Sequence, residues 1–147
     1  TLRLFSVFGP FEEPGRLVAD TMCALVRNNP LKLSSPYPVR DFIFIDDIVD
    51  AFLLAATSNI IGGDIFNIGG GKQTALKEII EEALNISGSS IPLEWGTKEN
   101  ARTFETSMWI ADVSKAQRVL GWMPRHTIPD GLSKTYFWFR DNINMYA

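Results

Sequence analysis

VRDFIFIDDIVDA, residues Val39–Ala51, places an Arg-Asp pair directly before a short run of apolar, β-forming residues. The run Phe42–Ile45 predicts a strand. The paired Asp46 and Asp47 predict the capped start of a helix, because a carboxylate accepts hydrogen bonds from free first-turn amides. An arginine beside a strand has a rigid support, and its forked guanidinium suits bidentate binding of a phosphate. Arg40 is therefore the first candidate binding residue.

Length, charge and cysteine content limit the class of protein. The chain has 147 residues, 46% of them hydrophobic, which suffices for the core of one domain. A net charge of −3 argues against nucleic-acid binding. A single cysteine, Cys23, excludes a disulfide within the chain and favours a reducing, cytoplasmic location. No apolar run approaches the ~18 residues of a membrane span, so no membrane partner is expected. The chain opens at Thr1 in strand-like sequence, unlike a signal peptide or a natural start.

Strand-like and helix-like segments alternate along the chain, which predicts an α/β fold. The clearest helical pattern runs from Leu76 to Leu84, with Thr74 as its predicted N-cap. After Asp47, an inner helix face is predicted at Ile48, Phe52, Ala55 and Ala56. We expect strands at Leu2–Val7, Phe42–Ile45, Asp64–Ile68 and Ile91–Trp95; helices at Arg16–Asn28, after Asp47, after Thr74, from Asp112 to Gly121 and from Pro129; and irregular chain at Leu31–Tyr37 and 96–108.

Some conspicuous residues have both a structural and a chemical interpretation. Gly69–Gly71 lie between a strand and a helix but lack GxGxxG or P-loop spacing, so a plain connection is favoured over a phosphate loop. His126, the only histidine, is predicted to be an exposed turn residue without a catalytic role. The Asp46–Asp47 pair is interpreted as a cap rather than a metal site. Arg40 and Arg102 form either surface ion pairs, which the residues alone favour, or a pair converging on a diphosphate.

Five motifs, in the same order as in a known family, accompany VRDFIFIDDIVDA. Leu2–Pro10 resembles an R-x-F-N-x-Y-G-P element, and Pro14–Val18 resembles the substrate loop that follows it. Asp64–Gly69 resembles a Y/F-N-I-G strand, Leu120–Pro124 resembles an L-G-W-x-P turn, and Gly131 opens a closing helix. The chain is similar to the extended short-chain dehydrogenase/reductase family of nucleotide-sugar epimerases and dehydratases.

This resemblance implies which part of such an enzyme the sequence contains. The implied fold is the last strands of a Rossmann-type parallel sheet plus the smaller α/β substrate-binding lobe, which together occupy residues 1–147. The glycine-rich NAD(P) fingerprint and the catalytic Tyr-x-x-x-Lys of the family are absent from the chain, so no catalytic residue is assigned. We expect both to lie in an N-terminal dinucleotide-binding portion that the sequence lacks.

The resemblance also implies site residues. Arg40 and Arg102 match the two arginines that clamp the nucleotide diphosphate. Leu4 and Phe5 match residues near the nicotinamide, and no metal ligand is implied. The remaining substrate-binding positions implied by the family are Ser6, Arg16, Leu17, Lys32, Ser34 and Trp109.

The activity implied by the resemblance is that of a nucleoside-diphosphate-sugar epimerase, in first place a 4-epimerase that passes through a transient keto sugar. Alternatives within the family are a 4,6-dehydratase, a decarboxylase or a ketoreductase, and an alternative of another class is a non-catalytic nucleotide-binding relative. NAD or NADP would be bound mainly by the missing portion. The implied partners are the sugar nucleotide, the N-terminal half and a second copy in a homodimer.

Overall fold

Short strands and helices alternate throughout the computed structural model, which describes residues 1–59, 62–97 and 108–146. A 3₁₀ turn at Ile143–Tyr146 closes the last helix. The strands are β1 (Leu2–Leu4), β2 (Ser6–Phe8), β3 (Leu31–Leu33), β4 (Val39–Phe44), β5 (Phe66–Ile68), β6 (Gln73–Ala75) and β7 (Leu93–Trp95), and the helices are α1 (Leu17–Arg27), α2 (Ile45–Thr57), α3 (Leu76–Ser87), α4 (Ser114–Leu120) and α5 (Ile128–Asn142).

Three small sheets organise these strands. β1 pairs with β5, β2 with β4, and β3 with β7, all in parallel, while β4 and β6 are antiparallel. Parallel pairs need a crossover connection, and α1, α2 and α3 lie in the connections between paired strands. The predicted α/β class is confirmed.

The strand predicted at Leu2–Val7 is two strands in different sheets. Its first half pairs Leu2 with Phe66, and its second half pairs Ser6 with Phe42. Phe5 lies at the break, where its amide donates to the Ile68 carbonyl at 3.0 Å. The prediction of one continuous strand was wrong because a run of β-forming residues does not reveal which partner each half pairs with.

Leu31–Leu33 is also a strand, although irregular chain was predicted there. Leu31 and Leu33 are 4% and 3% exposed and flank the exposed Lys32, which is the alternation of a half-buried strand. The strand is only three residues long and lies between Pro30 and Pro36, and such prolines favour an irregular segment in a prediction from sequence. The strand predicted at Phe42–Ile45 begins earlier, at Val39, and ends at Phe44.

The core has two parts. The larger part packs α1, α3 and α5 around β2 and β4, with Met22, Leu132 and Phe139 fully buried. The smaller part packs α2 and α4 around β5, with Trp122 and Ile68 at its centre. The predicted helical stripe from Leu76 is confirmed by the burial of its central residues, Ile79, Ile80 and Ala83.

Several predictions about α2 and the helix caps were wrong. Ile48 and Ala51 lie on the buried face of α2, whereas Phe52 is 52% exposed and Ala56 is exposed. The part of α2 that packs against the core is therefore narrower than the apolar composition of the helix suggests. The N-cap of α2 is Phe44, with no side-chain cap. Thr74 lies within β6 rather than capping α3, whose N-cap is Ala75.

Caps near the chain's end follow the sequence more closely. Asp112 Oδ1 accepts the amide of Ser114, the first residue of α4, at 3.0 Å, although the N-cap position itself is Val113. Gly121 ends α4 with φ 66°, in the left-handed region that glycine favours. Thr127 caps α5 in a capping box with Asp130, and the predicted Pro129 is the second helical residue.

Asp47 holds α2 against the 122–126 turn instead of capping a helix. Its buried carboxylate accepts the amides of Arg125 and His126 at 3.1 and 3.2 Å, and its Oδ1 lies 3.0 Å from Nδ1 of His126. The Trp122 indole donates to the Asp47 carbonyl at 2.9 Å. The prediction that His126 is an exposed turn residue was wrong: its side chain is 22% exposed, with Nε2 2.8 Å from Nζ of Lys134.

Asp41 joins three distant parts of the chain. Its carboxylate is fully buried and accepts the amides of Gly70 at 2.6 Å, Gly71 at 3.1 Å and Ala111 at 2.7 Å. Burial raises the pKa of Asp41 above its ordinary value, and the three amides oppose this shift because they stabilise the charged form. A side chain on Gly70 would place its Cβ 2.5 Å from the Phe42 carbonyl oxygen, so close contact between these segments requires glycine there.

We expect Asp41→Ala to lower the free energy of unfolding by about 3 kcal/mol, because it leaves three amides without their acceptor. Chemical denaturation followed by circular dichroism measures the change. The matched control is Asp46→Ala, which removes an exposed carboxylate 3.5 Å from Lys134 and should cost less than about 1 kcal/mol. Equal losses in the two variants would show that the Asp41 hydrogen bonds do not stabilise the fold.

Candidate functional site

A groove of about 1330 Å³ opens beside the break between β1 and β2. The loop of residues 9–16 and the start of α1 form one wall, and β3 and β4 form the other. Parallel strands ending at a shared edge leave such a crevice, which is where open α/β sheets bind ligands.

The predicted site residues of the described ranges come together in this groove. They approach it from five elements, β1, β2, α1, β3 and β4, and from the segments that connect elements, so the clustering does not follow from nearness in the sequence. Arg102 lies outside the described residues, and its place in the clamp stays a prediction. Lining the groove are Leu4, Phe5, Ser6, Arg16, Leu17, Lys32, Ser34, Arg40 and Trp109.

Arg40 is held at the groove by β4. Its Nη1 donates to the Val39 carbonyl at 2.7 Å, and its guanidinium carbon lies 5.4 Å from the centroid of the Trp109 ring. The Trp109 backbone amide donates to Oε1 of Gln73 at 3.0 Å, and the Trp109 ring meets Phe5 edge-on at 6.2 Å. Among the described residues, Arg40 thus contacts a carbonyl and an indole rather than the carboxylate of a surface ion pair.

Gly69–Gly71 do not form a phosphate loop. The amides of Gly70 and Gly71 point at Asp41, whose carboxylate already occupies them. A Cβ on Gly69 would lie 2.6 Å from the Ala111 Cβ, so this glycine is needed for packing. The interpretation as a plain structural connection is confirmed.

The loop of residues 9–16 is fixed at three points. Phe11 has φ 64°, a left-handed conformation that is uncommon for an aromatic residue, and its ring lies 4.6 Å from that of Trp138. Glu12 Oε2 accepts the amide of Ala19 in the first turn of α1 at 3.1 Å. The Gly15 amide donates to Asp20 Oδ1 at 2.7 Å. These contacts direct the half-buried Glu12 carboxyl group into the wall of the groove.

Comparison with known proteins agrees with this geometry. The model of the NAD dependent epimerase/dehydratase family matches residues 1–69. The UDP-glucuronate 4-epimerase of Thermodesulfobacterium geofontis is 30% identical over 146 residues, which are 98% of this chain and 44% of that protein. The chain is similar to the NAD-dependent epimerase/dehydratase family.

Solved structures of the family share the fold described above. MoeE5 in complex with UDP-glucuronic acid and NAD matches 96% of this chain and 46% of its own, with a TM-score of 0.88 at 29% identity. The UDP-glucuronic acid 4-epimerase of Bacillus cereus, in complex with UDP-glucuronic acid and NAD, matches 96% and 45%, with a TM-score of 0.86 at 29% identity. The chain thus spans less than half the length of these relatives, and the predicted Rossmann-related α/β fold is confirmed.

Similarity to this family raises the question of which part of NAD these residues fit. Leu4 is 40% exposed where β1 ends, and Phe5 lines the groove beside it. Apolar side chains at the edge of a groove suit one face of an aromatic ring such as nicotinamide. The Gly69–Gly71 run offers no cradle for a pyrophosphate, because Asp41 occupies its amides. Leu4 and Phe5 thus have the apolar character that suits the ring end of the cofactor, and their contact with it stays a prediction.

Two absences concern the residues that the structure describes. Within 1–59, 62–97 and 108–146, no His, Cys, Asp and Glu side chains are grouped closely enough to hold a metal ion. None of the helices in these ranges has the length and apolar character needed to cross a membrane.

Sequence reasoning overlooked Glu12. The pKa of its carboxyl group is raised from 4.5 to about 7, chiefly because burial disfavours the charged form; the Ala19 amide and the nearby charge of Arg16 oppose the shift. No local pattern indicates this burial, since Glu12-Glu13 before Pro14-Gly15 has the composition of an exposed polar turn.

The raised pKa of Glu12 predicts a specific dependence of stability on pH. The folded state keeps a proton that the unfolded state loses, so this contribution is complete below about pH 4.5 and is lost as the pH rises through about 7. Glu12→Gln keeps an oxygen that accepts the Ala19 amide but cannot ionise. We expect its free energy of unfolding, relative to the original protein, to be about 2 kcal/mol higher at about pH 8 than at about pH 4.

Denaturant titrations at both pH values measure this difference. Glu13→Gln is the matched control, because it makes the same change at an adjacent, exposed position and should give a difference that does not depend on pH. A Glu12→Gln effect of the same size at both pH values would contradict the prediction.

Proposed function

We propose that this chain is the C-terminal, substrate-binding portion of a nucleoside-diphosphate-sugar 4-epimerase, with a UDP-sugar as its substrate. The observation that carries the proposal is the groove, in which Arg40, Trp109 and the other predicted contact residues meet. The similarity to a UDP-glucuronate 4-epimerase and to a 4-epimerase solved with UDP-glucuronic acid and NAD supports both the sugar nucleotide and the reaction.

The charges of the groove suit a diphosphate. Arg40, Arg16 and Lys32 supply cationic groups from β4, from the residue before α1 and from β3. A guanidinium held by a strand presents two parallel N–H donors to phosphate oxygens, which a flexible ammonium does not. Arg102 completes the clamp in this proposal, from a segment outside the described residues.

The other end of the groove suits the sugar and the cofactor ring. Trp109 and Phe5 form an apolar corner beside Arg40, so a sugar linked to the bound diphosphate would lie against their rings. Ser6 offers a hydroxyl at the same end as Leu4 and Phe5. NAD, held mainly by a dinucleotide-binding portion, would supply hydride acceptance and return at C4 of the sugar. This chain binds the substrate and sets the position of C4.

Two features of the proposal go beyond the groove itself. The general base and its lysine partner, a Tyr-x-x-x-Lys, would belong to the dinucleotide-binding portion, because residues 1–147 contain no such motif. Dimerisation through that portion and a cytoplasmic location remain predictions.

We expect Arg40→Ala to weaken UDP binding by about 1.5–3 kcal/mol, which is about tenfold to about 150-fold in Kd, because it removes charge-assisted hydrogen bonds to the diphosphate. Isothermal titration of the full-length protein with UDP measures the loss. Arg40→Lys keeps the positive charge but lacks the forked guanidinium. Its Kd for UDP should therefore lie between those of the original protein and of Arg40→Ala.

Arg125→Ala is the control for general effects of charge, because Arg125 is 70% exposed and pairs with Asp50 outside the groove. It should leave the affinity for UDP unchanged. An Arg40→Ala protein that binds UDP as tightly as the original would rule out the clamp.

A protein consisting of residues 1–147 alone should show no epimerase turnover and no tight NAD binding. The reason is the lack of Tyr-x-x-x-Lys and of a pyrophosphate-binding glycine motif in this sequence. Incubation with UDP-glucose and NAD, followed by chromatography of the sugar nucleotides, tests this. Turnover by the purified chain would contradict the proposal that the catalytic residues and the main NAD site lie in the dinucleotide-binding portion.

A further inference from the structure

We infer that binding of a nucleoside diphosphate sugar in the groove is coupled to the uptake of one proton by the Glu12 carboxyl group. This inference rests on the proposed function and extends it to a residue that carries none of the predicted contacts. Glu12 would act as a positioning residue. It lies in the wall of the groove, and its protonation would respond to the charge of the bound ligand.

The first step is the position of Glu12. Its carboxyl group lies in the wall of the same groove that holds Arg16 and Arg40, and it is partly removed from water. Its Oε2 accepts the Ala19 amide at 3.1 Å, and the contact of Phe11 with Trp138 at 4.6 Å fixes the residue before it. The carboxyl group therefore cannot turn away into solvent without breaking its hydrogen bond to the Ala19 amide.

The second step is the balance of charge around Glu12. From α1 and the residue before it, Glu12 faces Arg16, which favours its ionised form, and Asp20, which disfavours it. From the 3₁₀ turn it faces Tyr146, and Cys23 of α1 lies near that tyrosine. Lys32, Arg40 and the exposed carboxylate of Glu13 complete the charged groups of the groove. Burial is the main cause of the raised pKa of Glu12, about 7; the Ala19 amide and Arg16 offset only part of it, and Asp20 adds to it.

The third step is the effect of the ligand. The diphosphate of a sugar nucleotide carries two negative charges and does not itself titrate near neutral pH. When it enters the groove it draws on Arg16, the cation that stabilises ionised Glu12. A second negative charge in the same partly desolvated space disfavours the carboxylate further. The bound state therefore holds a proton on Glu12 over a pH range in which the free protein has released it, and by linkage the affinity falls as the pH rises.

Calorimetry of the full-length protein with UDP-glucose tests the coupling. Titrations at about pH 8 in two buffers of different ionisation enthalpy give the number of protons taken up, which we expect to be about 0.5–1 per ligand. The Kd should rise about threefold to about tenfold between about pH 6.5 and about pH 8.5. Glu12→Gln should abolish proton uptake and bind UDP-glucose with the same Kd at both pH values.

Glu13→Gln is the matched control, since it removes a neighbouring exposed carboxylate and should keep both the proton uptake and the pH dependence. Binding without proton uptake, or uptake that persists in Glu12→Gln, would overturn this inference while leaving the proposed function intact. Failure of the original protein to bind UDP-glucose at any pH would overturn the proposed function and this inference together.

Discussion

The carboxylate of Asp41 is the constraint on which the groove depends. It is buried, and it accepts three backbone amides from two segments that lie 29 to 70 residues further along the chain. Arg40 precedes Asp41 directly, and Trp109 lies two residues before the Ala111 amide that Asp41 binds. A single side chain therefore sets the distance between the cationic and the aromatic parts of the groove. Its hydrogen bonds join β4, the glycine run and the 108–113 segment through one buried group.

Asp47 performs a similar task six residues later. It ties the start of α2 to the turn before α5 through two amides and the ring of His126. The stretch Val39–Ala51 is informative for this reason: two of its acids, Asp41 and Asp47, are internal acceptors for distant backbone amides. Burial of an acid is favourable only with such partners, and here the partners come from different elements. Hydrogen bonds to buried carboxylates thus connect distant parts of the fold, although acidic residues are usually exposed to solvent.

Much of the architecture could be predicted from the sequence, and the errors have common physical causes. The alternation of strands and helices, the buried stripe of α3 and the glycine end of α4 follow from local pattern, which the sequence contains in full. The split at Phe5, the strand at Leu31–Leu33 and the burial of Asp47 depend on tertiary partners, which local pattern does not specify. The groove residues were found through motif order, since no property of Ser6 or Ser34 alone marks a binding site. Glu12 was missed because its burial depends on tertiary contacts. The turn that contains it packs against α1 and α5.

The break between β1 and β2 has a mechanical consequence. Leu4 belongs to the sheet of β1 and β5, whereas Ser6 and Arg40 belong to the sheet of β2, β4 and β6. The groove lies along the seam between these two sheets, and the chain passes directly from one sheet to the other at Phe5. A molecule lying across the seam touches both sheets at once and resists their relative sliding. The same seam allows the two ends of the pocket to diverge independently, because a substitution that shifts β1 against β5 leaves the pairing of β2 with β4 in place. Substitutions at the end near Leu4 can therefore alter which ligand group is accepted there, while the binding contacts at the end near Arg40 are kept.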